Sequence, residues 1–150
     1  MGRRLVLGIQ CSLVEGFSVM GYRSDVVLAV DAKIVPALMT MFAKCEETQK
    51  LCTVECDDLN TDYDGAGNWM MRWESIKWYE SYPEIAMLNS FIEAVDSDDL
   101  SEFGLKDIDG WEGDEYGELF SFVRIGEDTE DIDQRGYGFE SIGIHRSINY

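Results

Sequence analysis

An amphipathic segment in the middle of the chain constrains the fold most strongly. Its apolar residues recur three or four positions apart, as on one face of a helix: Ile85, Leu88, Ile92 and Val95. Ser81 and Glu84 have the spacing of a capping box, and Pro83 suits the first turn. We therefore predict a helix that begins near Ser81 and buries one face.

An earlier segment changes from strand to helix character. Residues 22–30 (YRSDVVLAV) end in a β-branched, apolar run that is typical of a strand. Residues 31–50 then show helical spacing of their apolar residues: Ile34, Leu38, Phe42 and Cys45. With Pro36 in its first turn, this segment predicts a second helix.

The remaining apolar segments predict strands. They are Leu51–Cys56, then Trp69–Trp73 and Ser75–Tyr79 (two strands or one bent strand), Leu119–Ile125, Thr129–Arg135 and Ile142–Ile148. Residues 57–68 are expected to form a polar loop, and residues 96–117 a long acidic loop with a short helix around 98–103. This order predicts a single α+β domain over residues 20–150, a mostly antiparallel sheet with two helices packed on one face.

The segment FVRIGEDTEDID (residues 122–133) predicts a hairpin. We expect the face with Val123 and Ile125 to lie in the core and Phe122 and Arg124 to lie on the other face. Gly126 allows the turn, residues 127–128 form its tip, and Arg124 is expected to pair with a neighbouring carboxylate.

The charge is large and uneven. The chain has 30 acidic and 12 basic residues, a net charge of -18, and 45% hydrophobic residues. Residues 93–133 contain sixteen acids and two bases, whereas residues 1–54 are nearly neutral. Because nucleic acids and anionic membranes require Lys and Arg, the composition opposes direct binding to either and suits a partner with a basic surface.

Ten carboxylates are the candidate residues for binding such a partner: Asp107, Asp109, Glu112, Asp114, Glu115, Glu127, Asp128, Glu130, Asp131 and Asp133. Spaced carboxylates can imitate phosphates, so the partner could be a nucleic-acid-binding protein of a defence or transcription system. The alternative is that the charge only keeps the protein soluble.

Two acidic loops are candidate metal sites for a calcium- or magnesium-binding protein or a metal-dependent enzyme. Asn60, Asp62 and Asp64, followed by Gly65, resemble the front of a calcium loop, but its closing glutamate position holds Met71. A polar turn is the simpler interpretation. The loop 107–115 offers oxygen ligands without a defined spacing.

Other residue types give no catalytic pattern. A zinc site from the cysteines at 45, 52 and 56 with His145 would require four distant residues to converge, so buried thiols are favoured. No phosphate-binding loop is present, and we expect no cofactor and no enzymatic activity. The aromatic cluster Trp69, Trp73, Trp78 and Tyr79 favours core packing, with an exposed ring available as a contact.

The chain ends and cysteines suggest a cytoplasmic protein. The four cysteines are too few for a disulfide scaffold, and no apolar run approaches the roughly 18 residues of a membrane span. Residues 1–19 lack a convincing signal-peptide core. We expect translation to begin at Met20 and residues 1–19 to be an upstream or disordered extension.

Three fragments together resemble a family of small, acidic, uncharacterised proteins of bacteriophages and prophages. They are MGYRSDVVLAV (residues 20–30), IKWYESYPEI (residues 76–85) and FVRIGEDTEDID (residues 122–133). Because that family has no established activity, the resemblance assigns no site residues. It implies a viral accessory protein that acts in the cytoplasm of a host cell, where its partner would be a host protein with a basic surface. Assembly of the virion is an alternative.

Overall fold

The computed structural model describes residues 21–108 and 111–142, which form a five-stranded antiparallel sheet and three α-helices. The strands are β1 (Ser24–Val30), β2 (Asp58–Tyr63), β3 (Asn68–Ile76), β4 (Phe120–Gly126) and β5 (Ile132–Gly136). The helices are α1 (Val35–Lys44), α2 (Glu46–Thr53) and α3 (Pro83–Asp96). The predicted α+β class is therefore confirmed. The predicted extension 1–19, Asp109, His145 and the predicted last strand beyond Ile142 lie outside the described residues.

The sheet has the strand order β2-β3-β1-β4-β5, so the first strand is the central one. Leu28 pairs with Met71 of β3 on one side and with Phe122 of β4 on the other. All three side chains are buried in the main core, which places that core on a single face of the sheet. The helices contribute to the same core, mainly through Leu38, Leu51, Leu88 and Phe91.

The predicted helix 31–50 is two helices, because the chain is extended at Cys45 (φ -149°, ψ 106°). Lys44 lies in the last turn of α1, and Glu46 and Glu47 lie in the first turn of α2. The positive charge of Lys44 stabilises the C-terminal end of α1, and the negative charges of Glu46 and Glu47 stabilise the N-terminal end of α2, because each is opposite in sign to the helix dipole at that end.

The predicted strand 51–56 is wrong. Leu51 and Cys52 belong to the last turn of α2, where they are buried with Thr48 on one helical face. A short apolar run cannot distinguish a buried strand from a buried helical turn.

The start of α3 corrects another detail. Pro83 is its first residue, as predicted, but the N-cap is Tyr82 and no side chain caps the helix. The predicted capping box of Ser81 and Glu84 is therefore wrong. The backbone N–H groups of residues 85 and 86 instead bond to the Tyr82 carbonyl.

Residues 57–68 do not form only a loop, because β2 occupies 58–63 and pairs with β3. This edge strand is almost wholly exposed, so it lacks the apolar alternation that predicts a strand. The predicted strand segments from Trp69 to Ile76 belong to one continuous strand, β3 (Asn68–Ile76), and the aromatic residues Trp78 and Tyr79 lie outside it.

The predicted faces of β4 are reversed. Phe120 and Phe122 lie in the main core with the helices, whereas Val123 is buried on the opposite face. That opposite face is partly covered by residues 137–141, since Phe139 N–H bonds to Ser121 Oγ and Ser141 Oγ bonds to Tyr63 Oη (3.0 and 2.8 Å). A strand covered on both faces gives no alternation that identifies the main core.

Among the helices within the described ranges, α3 is the longest at 14 residues, and none of them has the length and apolar character needed to cross a membrane.

Candidate functional site

A cleft of about 330 Å³ lies between α3 and the hairpin of β4 and β5. Trp78, Ile92 and Phe122 are its apolar lining residues, and all three are largely buried. Its polar lining residues come from five parts of the chain: Tyr22, Glu80, Asn89, Glu93, Arg124, Asp131, Asp133 and Arg135. We call this the α3–hairpin cleft.

Arg124 and Asp131 form one wall of the cleft. The guanidinium donates to both carboxylate oxygens, at 2.7 and 3.1 Å, which confirms the predicted pairing of Arg124 with a neighbouring carboxylate. Tyr22 Oη also donates to Asp131 Oδ2 (2.6 Å). The bond to Asp131 raises the pKa of Arg124 more than burial lowers it. Arg124 therefore stays charged and paired.

Tyr22 connects this wall to the turn after β4. Its hydroxyl accepts a hydrogen bond from Asp128 N (3.0 Å), which lowers the pKa of Tyr22. The bond to Asp131, burial and the two nearby carboxylates act together in the opposite direction, and the pKa is raised overall. The Tyr22 hydroxyl thus donates one hydrogen bond to Asp131 and accepts another from the backbone of Asp128.

Arg135 forms the other charged pair of the cleft. Its guanidinium donates to Glu93 on α3 (2.7 Å) and to Asp133 on its own strand (3.3 Å). The bond to Glu93 is the largest contribution that raises the pKa of Arg135. This pair joins α3 to β5 across the cleft.

Trp78 is the unusual residue of the apolar lining. It is only 9% exposed, and its buried indole N–H has no hydrogen-bond partner among the described residues. Trp73, whose ring centroid lies 5.4 Å away, donates its indole N–H to the Leu51 carbonyl (2.9 Å). Because a buried donor without an acceptor costs free energy, Trp78 requires an explanation that Trp73 does not.

The sequence-predicted carboxylates lie in three places. Asp131 and Asp133 line the cleft and pair with arginines. Glu127, Asp128 and Glu130 are exposed in the turn between β4 and β5, where Glu127 accepts a hydrogen bond from Arg23 N (2.6 Å). The others are exposed on the segment before β4, apart from Asp109, which is outside the described residues: Asp107, Glu112, Asp114 and Glu115.

The segment before β4 packs beside the end of α3. Asp98 accepts a hydrogen bond from Tyr116 N (2.7 Å), which joins segments 96–102 and 111–118. The two segments contain eight carboxylates, all exposed, and no Lys or Arg: Asp96, Asp98, Asp99, Glu102, Glu112, Asp114, Glu115 and Glu118. We call these eight residues the acidic surface.

The predicted calcium-loop residues lie at the end of β2 and in the turn that follows it: Asn60 and Asp62 belong to β2, and Asp64 and Gly65 begin the turn to β3. Asn60 Oδ1 accepts from Asp62 N, and Asp62 Oδ1 accepts from Gly67 N (2.9 and 2.8 Å). Asp64 and Gly65 both have positive φ (62° and 67°), as in the turns that Asp-Gly pairs favour in hairpins. These bonds are those of the polar turn that was the alternative to a metal site.

Within residues 21–108 and 111–142, no three His, Cys, Asp or Glu side chains form a group that could hold a metal ion. Cys45, Cys52 and Cys56 are free thiols. Burial raises the pKa of both Cys52 and Cys56, and Cys56 Sγ donates to the Cys52 carbonyl (3.4 Å). These two thiols have the character of core residues.

Several cleft residues were not among the sequence-predicted candidates, notably Tyr22, Glu80, Asn89 and Arg135. Their separation along the chain conceals the cleft from any local pattern. The available signal was charge: Arg124 and Arg135 are the bases of an otherwise acidic hairpin. No family profile, curated protein or solved structure matches the chain.

Proposed function

We propose that this protein is a non-enzymatic bacteriophage accessory protein that binds a host protein with a basic surface. The observation that carries the proposal is the acidic surface, where eight exposed carboxylates lie on two adjoining segments without a base. A cluster of one sign of charge attracts an oppositely charged protein and speeds its association. The viral context comes from the resemblance of the three sequence fragments.

The distribution of pairing supports a role beyond solubility. Arginines pair with carboxylates in the cleft and on β3, as in Arg72 with Asp58 and Glu74. On the acidic surface, by contrast, one ion pair with a basic side chain is present among the described residues, between Asp96 and Arg135 (3.7 Å). The surface thus keeps its negative potential instead of neutralising it internally.

The test compares two variants with equal net charge. The surface variant carries Glu102→Gln, Glu112→Gln and Asp114→Asn, and the control carries Glu46→Gln, Glu47→Gln and Glu55→Gln on and after α2. All six side chains are exposed, and each variant loses three negative charges, from -18 to -15. Both variants should therefore have similar bulk electrostatics.

Each protein is immobilised and incubated with bacterial lysate at low and physiological salt, and the captured proteins are identified and purified for direct binding. We expect one basic protein that binds wild type and control but binds the surface variant at least several-fold more weakly, with affinity falling as salt rises. Equal loss in both variants would show attraction by bulk charge. That result, or the absence of any saturable partner, would reject the proposal.

A further inference from the structure

The α3–hairpin cleft has unequal charge. The side chains that line it include four carboxylates (Glu80, Glu93, Asp131 and Asp133) and two guanidinium groups (Arg124 and Arg135), so the lining has a net charge of -2. Both arginines already donate to carboxylates. An anionic ligand would have to displace these pairs, so the cleft favours a cation.

The free groups of the cleft define the ligand further. Glu80 is exposed and forms no ion pair with a base in the described chain, and Asn89 offers an amide in the same cleft. Trp78 offers the opposite chemistry, a buried N–H donor that lacks an acceptor among the described residues. A ligand with a cationic group and a carbonyl oxygen satisfies both requirements, and a peptide residue with a basic side chain has both.

The size of the cleft agrees with a small ligand. Its volume of about 330 Å³ is at the lower end of ligand pockets, which span roughly 300 to 1,000 Å³. Ile92 and Phe122 provide apolar contacts for the aliphatic stem of a long side chain, while the charged head reaches carboxylates at the rim.

We propose that the α3–hairpin cleft binds one lysine or arginine side chain of a peptide, with the peptide carbonyl accepting the Trp78 indole N–H. The inference rests on the proposed function, because the basic partner would supply that residue. Glu80 and the outer oxygens of Glu93 and Asp133 bind the cation. The acidic surface attracts the partner, and the cleft fixes its register.

Three blocked amino acids test the proposal on the full chain: N-acetyl-arginine methylamide, N-acetyl-lysine methylamide and N-acetyl-citrulline methylamide. Citrulline has nearly the shape of arginine without its charge. The readout is the indole N–H signals in a ¹H–¹⁵N spectrum, with Trp78 assigned by Trp78→Phe. Trp73 provides an internal control because its indole N–H is already bonded to Leu51.

We expect a saturable shift of the Trp78 signal with the arginine or lysine compound, whichever the cleft prefers, and little shift of Trp73. Glu80→Gln should weaken binding roughly two- to fivefold, as expected for a partly exposed ion pair, while Glu55→Gln, at an exposed carboxylate outside the cleft and the acidic surface, leaves it unchanged. Equal binding of citrulline and arginine, or no saturable shift of Trp78 with either cation, would overturn the proposal.

The outcomes separate the two proposals. If the cleft binds no cation but the surface variant loses a basic partner, only the cleft proposal fails. If the cleft binds the cation but no basic host protein is captured, the proposed function fails and the cleft is a site for a free cationic ligand.

Discussion

Arg124 and Asp131 are joined by two hydrogen bonds across the turn between β4 and β5, and the same carboxylate accepts the hydroxyl of Tyr22. One carboxylate thus connects the hairpin to the residues that precede β1. Gly126 makes this arrangement possible, because a side chain there would collide with Asp131 and Tyr22. The end of the sheet depends on a charged network instead of apolar packing alone.

Asp131→Asn should destabilise the protein by about 1 to 3 kcal/mol, since hydrogen bonds to charged, partly buried groups contribute that much. The neighbouring substitution Glu130→Gln changes an exposed residue and should cost less than about 0.5 kcal/mol. Urea denaturation measures both values. Equal midpoints for the two variants would show that the ion pair contributes nothing measurable.

Alkaline pH should lower the free energy of unfolding through ionisation of the Tyr22 hydroxyl. Its pKa is higher in the folded protein than its ordinary value of about 10, so the folded state holds this proton more tightly. The resulting stabilisation is complete below pH 10 and is lost as the pH rises through the folded pKa. The free energy of unfolding, measured from pH 9 to 11, should therefore fall less steeply for Tyr22→Phe than for wild type. Identical slopes would contradict the assignment.

The two neighbouring tryptophans should respond differently to removal of the indole N–H. Trp73→Phe leaves the Leu51 carbonyl without its donor, whereas Trp78→Phe removes a donor that has no partner in the described chain. We expect Trp73→Phe to cost about 1 to 3 kcal/mol more than Trp78→Phe. Chemical denaturation followed by circular dichroism avoids the change in tryptophan fluorescence. A larger loss for Trp78→Phe would reverse the interpretation.

Salt should stabilise this chain. With a net charge of -18, exposed carboxylates repel one another, and screening over about 10 Å at 0.1 M salt reduces that repulsion. The melting temperature should rise between 10 and 150 mM sodium chloride. The surface variant with three fewer carboxylates should show a smaller rise, and a melting temperature independent of salt would refute the prediction.

Local spacing of apolar residues predicted those helices and strands that bury only one face. The apolar residues of α3 recur at helical spacing because one face contacts the core, and Ile85, Leu88 and Val95 are all buried. The break at Cys45 was not predictable, because helical spacing continues through it. The exposed strand β2 was not predictable either, since its residues show no apolar alternation although it pairs with β3.

The candidate site was predictable only in its charge. The exposed carboxylates follow from composition, and so does a partner for Arg124. The cleft, however, combines residues from Tyr22 to Arg135 that only the tertiary fold brings together. The missing partner of Trp78 is also a property of its surroundings, and the sequence around it, IKWYE, contains no sign of it.

The central position of β1 has a consequence for synthesis of the protein. Leu28 pairs with Phe122, a residue 94 positions later in the chain. At roughly 5 to 20 residues per second, a ribosome adds that partner about 5 to 20 seconds after β1. During this interval the apolar strand has an open edge, the kind of edge that promotes aggregation. A nascent chain stalled before β4 should therefore require a chaperone, whereas in the finished chain β4 pairs with this edge of β1.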